Sequence, residues 1–288
     1  MRGRCSKKSN LWIFLSMFWV GGMMACPEVQ SDNLVPISWT GKFPVWVVAH
    51  RGFSGAAPEN TIAAFKKAIE VDSDMIECDV HLSKDGEVVV IHDDTLKRTT
   101  NGNGKVRDLT LRELKRLDAG AWFGAQFSGE KIPALKEVLE LTRGKIPLQV
   151  ELKEGDLGQP AMIELVDRSF QEVEKAGMLD QVLFSSFNLS AIERIREKNP
   201  NLPLALIYNK PWNSPQEITG GNPFPVLSCS GKVLNPANAS RARQQGIKVL
   251  VWTLNTEEQM EHFLKVGVDG IVTNYPDKLI TILKKKSK

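Results

Sequence analysis

The feature that most restricts what this chain can fold into is an alternation of short apolar runs with amphipathic stretches, repeated about eight times. The runs at 46–49, 75–80, 147–152, 182–185, 204–208, 226–229, 248–252 and 270–272 have the length and apolar content of buried strands. Helical spacing is predicted over 60–71, 135–141, 161–176, 189–197, 237–245, 257–266 and 276–285, and in the first of these Ile62, Phe65, Ala68 and Ile69 make the apolar stripe. Strand followed by helix is the pattern of a parallel sheet. About eight such units favour closure into an α/β (β/α)8 TIM-type barrel over an open doubly wound sheet. The 288 residues suit one such domain, and 42% hydrophobic with 25% charged residues leaves enough apolar material for its core.

One unit departs from the pattern. A strand-like run at 87–91 follows Lys84-Asp85-Gly86, a hairpin signal, so the second strand should turn back on itself. Residues of about 93–133 then fit no single unit. They contain Asn101-Gly102-Asn103-Gly104, a helical stretch at 111–117 and an aromatic patch at Trp122, Phe123 and Phe127. This segment is expected to be a small insertion after the second strand, capping one end of the barrel.

The first 25 residues stand outside the domain. Arg2, Arg4, Lys7 and Lys8 precede an apolar run over 11–25, the order of a secretory signal, and the run is short for a membrane span. Its end, Met23-Met24-Ala25-Cys26, resembles a bacterial lipoprotein signal, which implies lipidation of Cys26 and an exported protein held at a membrane, facing the periplasm or cell exterior. An uncleaved anchor is the alternative. Residues 26–44, with Pro27, Pro36 and Pro44 and no periodicity, read as a tether to a barrel domain over 45–288.

Without the four basic residues of the signal, the formal net charge of +3 becomes −1, so no electrostatic case for nucleic acid remains. The terminal Lys284-Lys285-Lys286-Ser287-Lys288 reads as a solvated helix end. Of the four cysteines, Cys78 and Cys229 belong to the domain. They fall on strands well apart around a barrel, so packed thiols rather than a bridge are expected.

Barrel enzymes carry their chemistry at the C-terminal ends of the strands, and polar residues gather there. The first strand ends in Ala49-His50-Arg51-Gly52, the hairpin in Ile91-His92-Asp93 and the seventh barrel strand in Trp252-Thr253-Leu254-Asn255. Alternation puts Glu77 and Asp79 on one face of the second strand, and Glu151 and Lys153 on one face of the third. Three carboxylates converging in a barrel mouth repel one another unless a cation joins them. Oxygen ligands select a hard divalent ion such as Ca²⁺ or Mg²⁺ over Zn²⁺. His50 and His92 are then free for proton transfer, and Arg51 with the flexible segment Gly52-Phe53-Ser54-Gly55 suits an anionic phosphoryl group. The residues alone name a metal site in a barrel mouth and no substrate.

His50-Arg51-Gly52, Pro58-Glu59-Asn60-Thr61, Glu77-x-Asp79-Val80, Lys84-Asp85-Gly86, His92-Asp93 and Arg98-Thr99-Thr100-Asn101-Gly102 together resemble the glycerophosphodiester phosphodiesterase family. Ile132-Pro133-Ala134-Leu135, Glu151-x-Lys153, Val251-Trp252-Thr253-Leu254-Asn255 and Asp269-Gly270-Ile271-Val272-Thr273-Asn274 continue the resemblance in order, with Asn274 where an Asp is commoner. The resemblance implies metal-dependent hydrolysis of small glycerophosphodiesters to glycerol 3-phosphate and an alcohol. It implies His50 and His92 as general acid and base, and Glu77, Asp79 and Glu151 as ligands of one divalent cation. Arg51 and Lys153 would bind phosphate and Trp252 would wall the glycerol. Glu59 would lie beside the cation's ligands or orient Arg51.

Smaller roles are expected elsewhere: Asn60 as cap of the first helix, Asn274 structural, His81 structural, His262 at the surface, and Asp93 and Asp94 shaping a turn. Two other functions are compatible with the sequence, a lysophospholipase D-type activity on lipid-bearing diesters and a catalytically silent, membrane-tethered binding module.

Overall fold

The computed structural model describes residues 41–155, 158–219 and 224–286. The signal over 1–25, Cys26 and most of the 26–44 stretch therefore lie outside the described residues. Of that stretch, Lys42 and Phe43 already dock on the domain: the Lys42 amide donates to Asp74 Oδ1 at 2.7 Å, and Phe43 packs against the core.

Eight parallel strands close on themselves. They are β1 (Trp46–Ala49), β2 (Met75–Leu82), β4 (Leu148–Leu152), β5 (Val182–Ser186), β6 (Leu204–Tyr208), β7 (Val226–Ser230), β8 (Lys248–Trp252) and β9 (Gly270–Thr273). Each pairs with the next in that order, and β9 and β2 both pair with β1. A short strand β3 (Val88–Val90) runs antiparallel on β2, the hairpin expected around Lys84-Asp85-Gly86. Helices α1 (Ile62–Glu70), α3 (Leu135–Thr142), α4 (Gln159–Lys175), α5 (Leu189–Lys198), α7 (Pro236–Gln244) and α8 (Glu257–Val266) connect the strands, and α9 (Pro276–Lys286) follows β9. The expected (β/α)8 barrel is what the chain forms. A short α6 (Pro215–Thr219) in the Pro/Gly-rich stretch was not foreseen, being too brief for a periodic signal.

Strand alternation divides the core in two. Cys78, Val150, Phe184, Leu206, Cys229 and Ile271 belong to the layer beneath the helices. Val48, Met75, Leu183, Ala205, Val226, Leu250 and Val272 form a separate cluster, which fills the barrel interior. Stepping two residues along three of the strands from that inner cluster replaces apolar side chains with polar ones: Met75 leads to Glu77 and Asp79, Leu183 to Ser185, and Val226 to Ser228. The barrel is thus plugged with hydrocarbon at one end and lined with functional groups at the other. Cys78 and Cys229 are buried and unpaired, as packed thiols.

The segment between β3 and α3 is the expected insertion. It holds a turn at Val106–Asp108, the single-turn helix α2 (Leu111–Leu114) and a second turn at Ala125–Phe127. Thr110 and Glu113 cap α2 reciprocally, and the helix stops at Leu114 rather than 117. Val89, Ile91, Leu96, Val106, Leu114, Ala119 and Ile132 give the insertion a small core of its own. Among the described residues no helix is long and apolar enough to cross a membrane.

Candidate active site

The β1–α1 loop sets the first half of the site. His50 follows β1 directly, and its amide donates to Thr273 O at 2.9 Å. Arg51 then takes a left-handed backbone (φ 57°), a conformation that costs a non-glycine residue of order 1 kcal/mol or more and concentrates at functional sites. That turn aims the Arg51 amide at Glu77 Oε2, 2.9 Å away. Gly52 (φ 79°) must be glycine, because a Cβ there would stand 2.7 Å from the Ala64 backbone.

Asn60 is not the helix cap. Thr61 is, accepting from the Ala64 amide, while Asn60 is also left-handed (φ 57°) and turns inward. Its Nδ2 donates to Asp79 Oδ2 at 2.8 Å, and its Oδ1 accepts from the Asp79 amide at 3.3 Å. Sequence reasoning misread Asn60 because a buried partner 19 residues away outcompeted the local cap.

β2 and β4 lie in register with Glu77 beside Gln149 and Asp79 beside Glu151. Glu77, Asp79 and Glu151 each offer a carboxylate oxygen, and these oxygens all lie within 4.8 Å of one another. Glu77 is 3% and Asp79 1% exposed. Burial, then repulsion from Asp79 and Glu151, pushes the Glu77 carboxyl well above the usual range. Burial and the Asp79 charge likewise push Glu151 up to about 7. Burial would raise Asp79 too, but Arg51 and Lys153 hold it far below its ordinary value.

Glu77 Oε1 is buried with no hydrogen-bond partner. An orphaned oxygen among three crowded carboxylates is the donor set that a hard divalent cation fits.

Two cations flank the cluster. Lys153 Nζ donates to Glu151 Oε1 at 2.7 Å and stands 3.5 Å from Asp79. Arg51 Nη1 donates to Glu59 Oε1 at 2.7 Å, and its Nε lies 3.4 Å from Asp79 Oδ2. Glu59 is therefore an orienter of Arg51, set behind it rather than among the three clustered carboxylates.

The two imidazoles are each held through Nδ1. His50 Nδ1–H donates to Asn274 Oδ1 at 2.7 Å, and His92 Nδ1–H to Asp93 Oδ1 at 2.6 Å. Both arrangements leave Nε2 as the free nitrogen. Burial, reinforced by Arg51, lowers His50 to about 4. Burial and Arg51 also lower His92, against an opposing pull from Asp79.

Asn274 is thus the partner of His50 rather than a purely structural residue. Its own amide is held by Asn255 Oδ1 at 3.0 Å, so the end of β8 supports the end of β9. Asp93 supports His92 in addition to shaping its turn. His81 keeps its structural role, its Nε2 meeting His92 O at 3.0 Å. His262 lies exposed on α8.

An open cavity of about 140 Å³ touches His50, Arg51, Glu77, His92, Glu151, Lys153 and Trp252, bringing together all but two of the residues singled out within the domain. Asp79 is buried beside its lining and Glu59 sits behind Arg51. Trp252 Nε1 donates to Ser228 O at 3.0 Å, which fixes the indole as a wall. Phe187, 42% exposed, meets it edge to face with centroids 5.9 Å apart. Sequence reasoning missed Phe187. Its position one residue past the end of β5, where a barrel places substrate contacts, was the available signal.

A closed (β/α)8 barrel whose mouth joins two oriented imidazoles, a buried carboxylate cluster and two cations has the form of a barrel enzyme, with groups suited to holding an anion. The comparisons with known proteins narrow the class. The sequence model of the glycerophosphoryl diester phosphodiesterase family matches residues 50–278. A glycerophosphodiester phosphodiesterase of Caldanaerobacter subterraneus is 40% identical over 83% of this chain and 98% of its own length. A phosphodiesterase of Oleispira antarctica, solved with the product sn-glycerol-3-phosphate, is 33% identical, with a TM-score of 0.76 over 84% of this chain and 97% of that one. A lysophospholipase D of Mus musculus is 30% identical over 81% of this chain and 84% of its own length. The chain belongs to the glycerophosphoryl diester phosphodiesterase family and is an enzyme of the phosphoric diester hydrolase class.

Proposed function

We propose that this enzyme hydrolyses small glycerophosphodiesters to glycerol 3-phosphate and an alcohol, with His50 and His92 moving the protons. The observation that carries the reading is the convergence of both imidazoles with Glu77 and Glu151 of the carboxylate cluster on one cavity. Glu77, Asp79 and Glu151 would hold one divalent cation, Ca²⁺ or Mg²⁺, which supplies Lewis-acid stabilisation of phosphoryl charge when bound.

The chain's own groups account for the rest. Arg51 and Lys153 bind the phosphate oxygens and oppose the charge that grows on them. His50, kept neutral at physiological pH by burial and with Nδ1 committed to Asn274, presents an unprotonated Nε2 to the attacking oxygen. His92, whose protonated ring the Asp93 carboxylate steadies, donates to the departing alcohol oxygen. Trp252 walls the glycerol, and Phe187 extends that wall toward solvent.

The test is glycerol 3-phosphate release from a panel of glycerophosphodiesters with Ca²⁺, Mg²⁺ or chelator. His50→Ala and His92→Ala should each lower kcat by about 10²- to 10⁴-fold with the fold intact. Near-normal turnover in both, or full activity in chelator, would sink the reading.

A second reading, lysophospholipase D-type activity, is favoured by the mouse relative and by the exposed Trp122 of the insertion, 42% accessible. Lysophospholipid in the same panel separates the two. The reading also includes export, with Cys26 as a lipidated N-terminus supported by the sequence of residues 1–26. A mature protein from the native cell that remains in the aqueous phase on detergent partitioning would remove that part.

A further inference from the structure

The motif Arg98-Thr99-Thr100-Asn101-Gly102 is unused by the chemistry above, and Arg98 occupies an unusual place. Its Nε donates to Asp93 Oδ2 at 2.6 Å and its Nη2 to Asp93 Oδ1 at 3.0 Å. Its Nη1 donates to Glu59 Oε2 at 2.8 Å, and the same Nη2 reaches Glu59 Oε1 at 2.9 Å. Two carboxylates are gripped bidentately by one guanidinium, and no other side chain has the planar fork to do this.

The oxygens that Nη2 touches are the two that matter. Asp93 Oδ1 is the acceptor of His92 Nδ1, and Glu59 Oε1 is the acceptor of Arg51 Nη1. Arg98 thereby links, through one atom on each side, the imidazole that donates a proton and the guanidinium that binds phosphate. We propose that Arg98 is a positioning residue, delivered by the insertion, that locks His92 and Arg51 into one fixed geometry. This rests on the roles given to His92 and Arg51 above.

The surroundings fit that purpose. Leu96 and Thr99 on either side of Arg98 are buried, and Thr100 Oγ1 donates to Leu96 O at 2.7 Å. Leu96 belongs to the insertion's own core, so the Arg98 backbone is set from outside the barrel. Its side chain is 43% exposed, where ion pairs contribute little to global stability. A clamp of this kind therefore acts on side-chain orientation more than on folding. Without it, Asp93 and Glu59 each keep one partner and regain rotational freedom, and two groups that must face the same phosphate drift independently. The insertion, whose removal leaves the barrel's eight strands complete, gains a reason to exist.

The experiment uses the full chain and glycerophosphocholine with saturating divalent cation, comparing wild type, Arg98→Ala, Arg98→Lys and His92→Ala. The expected result for Arg98→Ala is kcat lower by about 10- to 100-fold, KM within about threefold and an almost unchanged melting temperature. Arg98→Lys should recover little, because a point charge cannot hold two carboxylates in fixed planes. Millimolar guanidinium should partly restore Arg98→Ala, since the site is open to solvent. The His92 ring ¹⁵N shifts should also show loss of the single Nδ1–H tautomer in Arg98→Ala. Arg98→Ala with kcat within about twofold of wild type and unchanged ¹⁵N shifts overturns the clamp. Arg98→Lys that matches wild type also overturns it, by reducing the role to charge alone. A fully active His92→Ala would instead overturn the assignment of His92, and the ¹⁵N comparison would still judge the clamp.

Discussion

Adding a divalent cation at two pH values tests the carboxylate cluster without touching a residue. Burial and its neighbours raise Glu151 to about 7 in the folded, cation-free protein, against 4.5 for an ordinary glutamate. The folded state then binds more protons than the unfolded one between these values, so stability must fall as pH rises through that window. The Glu151 contribution lost is roughly 3 kcal/mol by pH 8, and Glu77, raised for the same reasons, adds to it in the same direction. A cation competes with those protons. At pH 5 Glu151 is about 99% protonated and at pH 8 about 10%, so cation affinity should improve by roughly 100-fold from this group alone.

At fixed cation well above the dissociation constant, that factor is worth about 3 kcal/mol of folding stability. For a domain of this size it becomes a melting-temperature rise about 5–10 °C larger at pH 8 than at pH 5. Differential scanning fluorimetry with Ca²⁺, Mg²⁺ and chelator reads it directly. Glu151→Gln should remove the Glu151 share of the pH-dependent part and leave that of Glu77. A cation shift of equal size at both pH values, or none at either, would refute the argument that these three carboxylates await a shared positive charge.

Two further expectations concern residues that the sequence reading misplaced or missed. Asn60→Ala leaves the buried Asp79 without its amide partner and should cost about 1–3 kcal/mol, measured by urea denaturation at neutral pH; a change below about 0.5 kcal/mol would mean that Asn60 is only a loop residue. Phe187→Ala removes the outer half of the aromatic wall and should raise KM several-fold with kcat nearly constant, whereas a lower kcat with unchanged KM would show that the ring acts on the chemistry.

Much of the site could be read directly because strand alternation is a strict rule. Once Met75–Leu82 and Leu148–Leu152 were strands, Glu77, Asp79 and Glu151 had to share the barrel interior, and their closeness followed from register. His50 and His92 were legible because strand ends are where a barrel exposes side chains. Loops have no such rule. Asn60, Asp93, Arg98 and Asn274 all sit in loops outside the regular elements, where side-chain direction depends on a left-handed turn or on a partner far along the chain. Asn274 meets His50 from 224 residues away, and Arg98 meets Glu59 from 39 residues away. No local pattern announces either contact.

What the sequence determined by itself was the barrel, its insertion and the chemical kinds of group at its mouth, because periodicity and composition act over a few neighbouring residues. Tertiary structure decided which nitrogen of each histidine is free, which carboxylate oxygen is orphaned, and that one arginine from the insertion holds two functional side chains together. Those are matters of distance between elements, and distance exists only once the strands have closed into a ring.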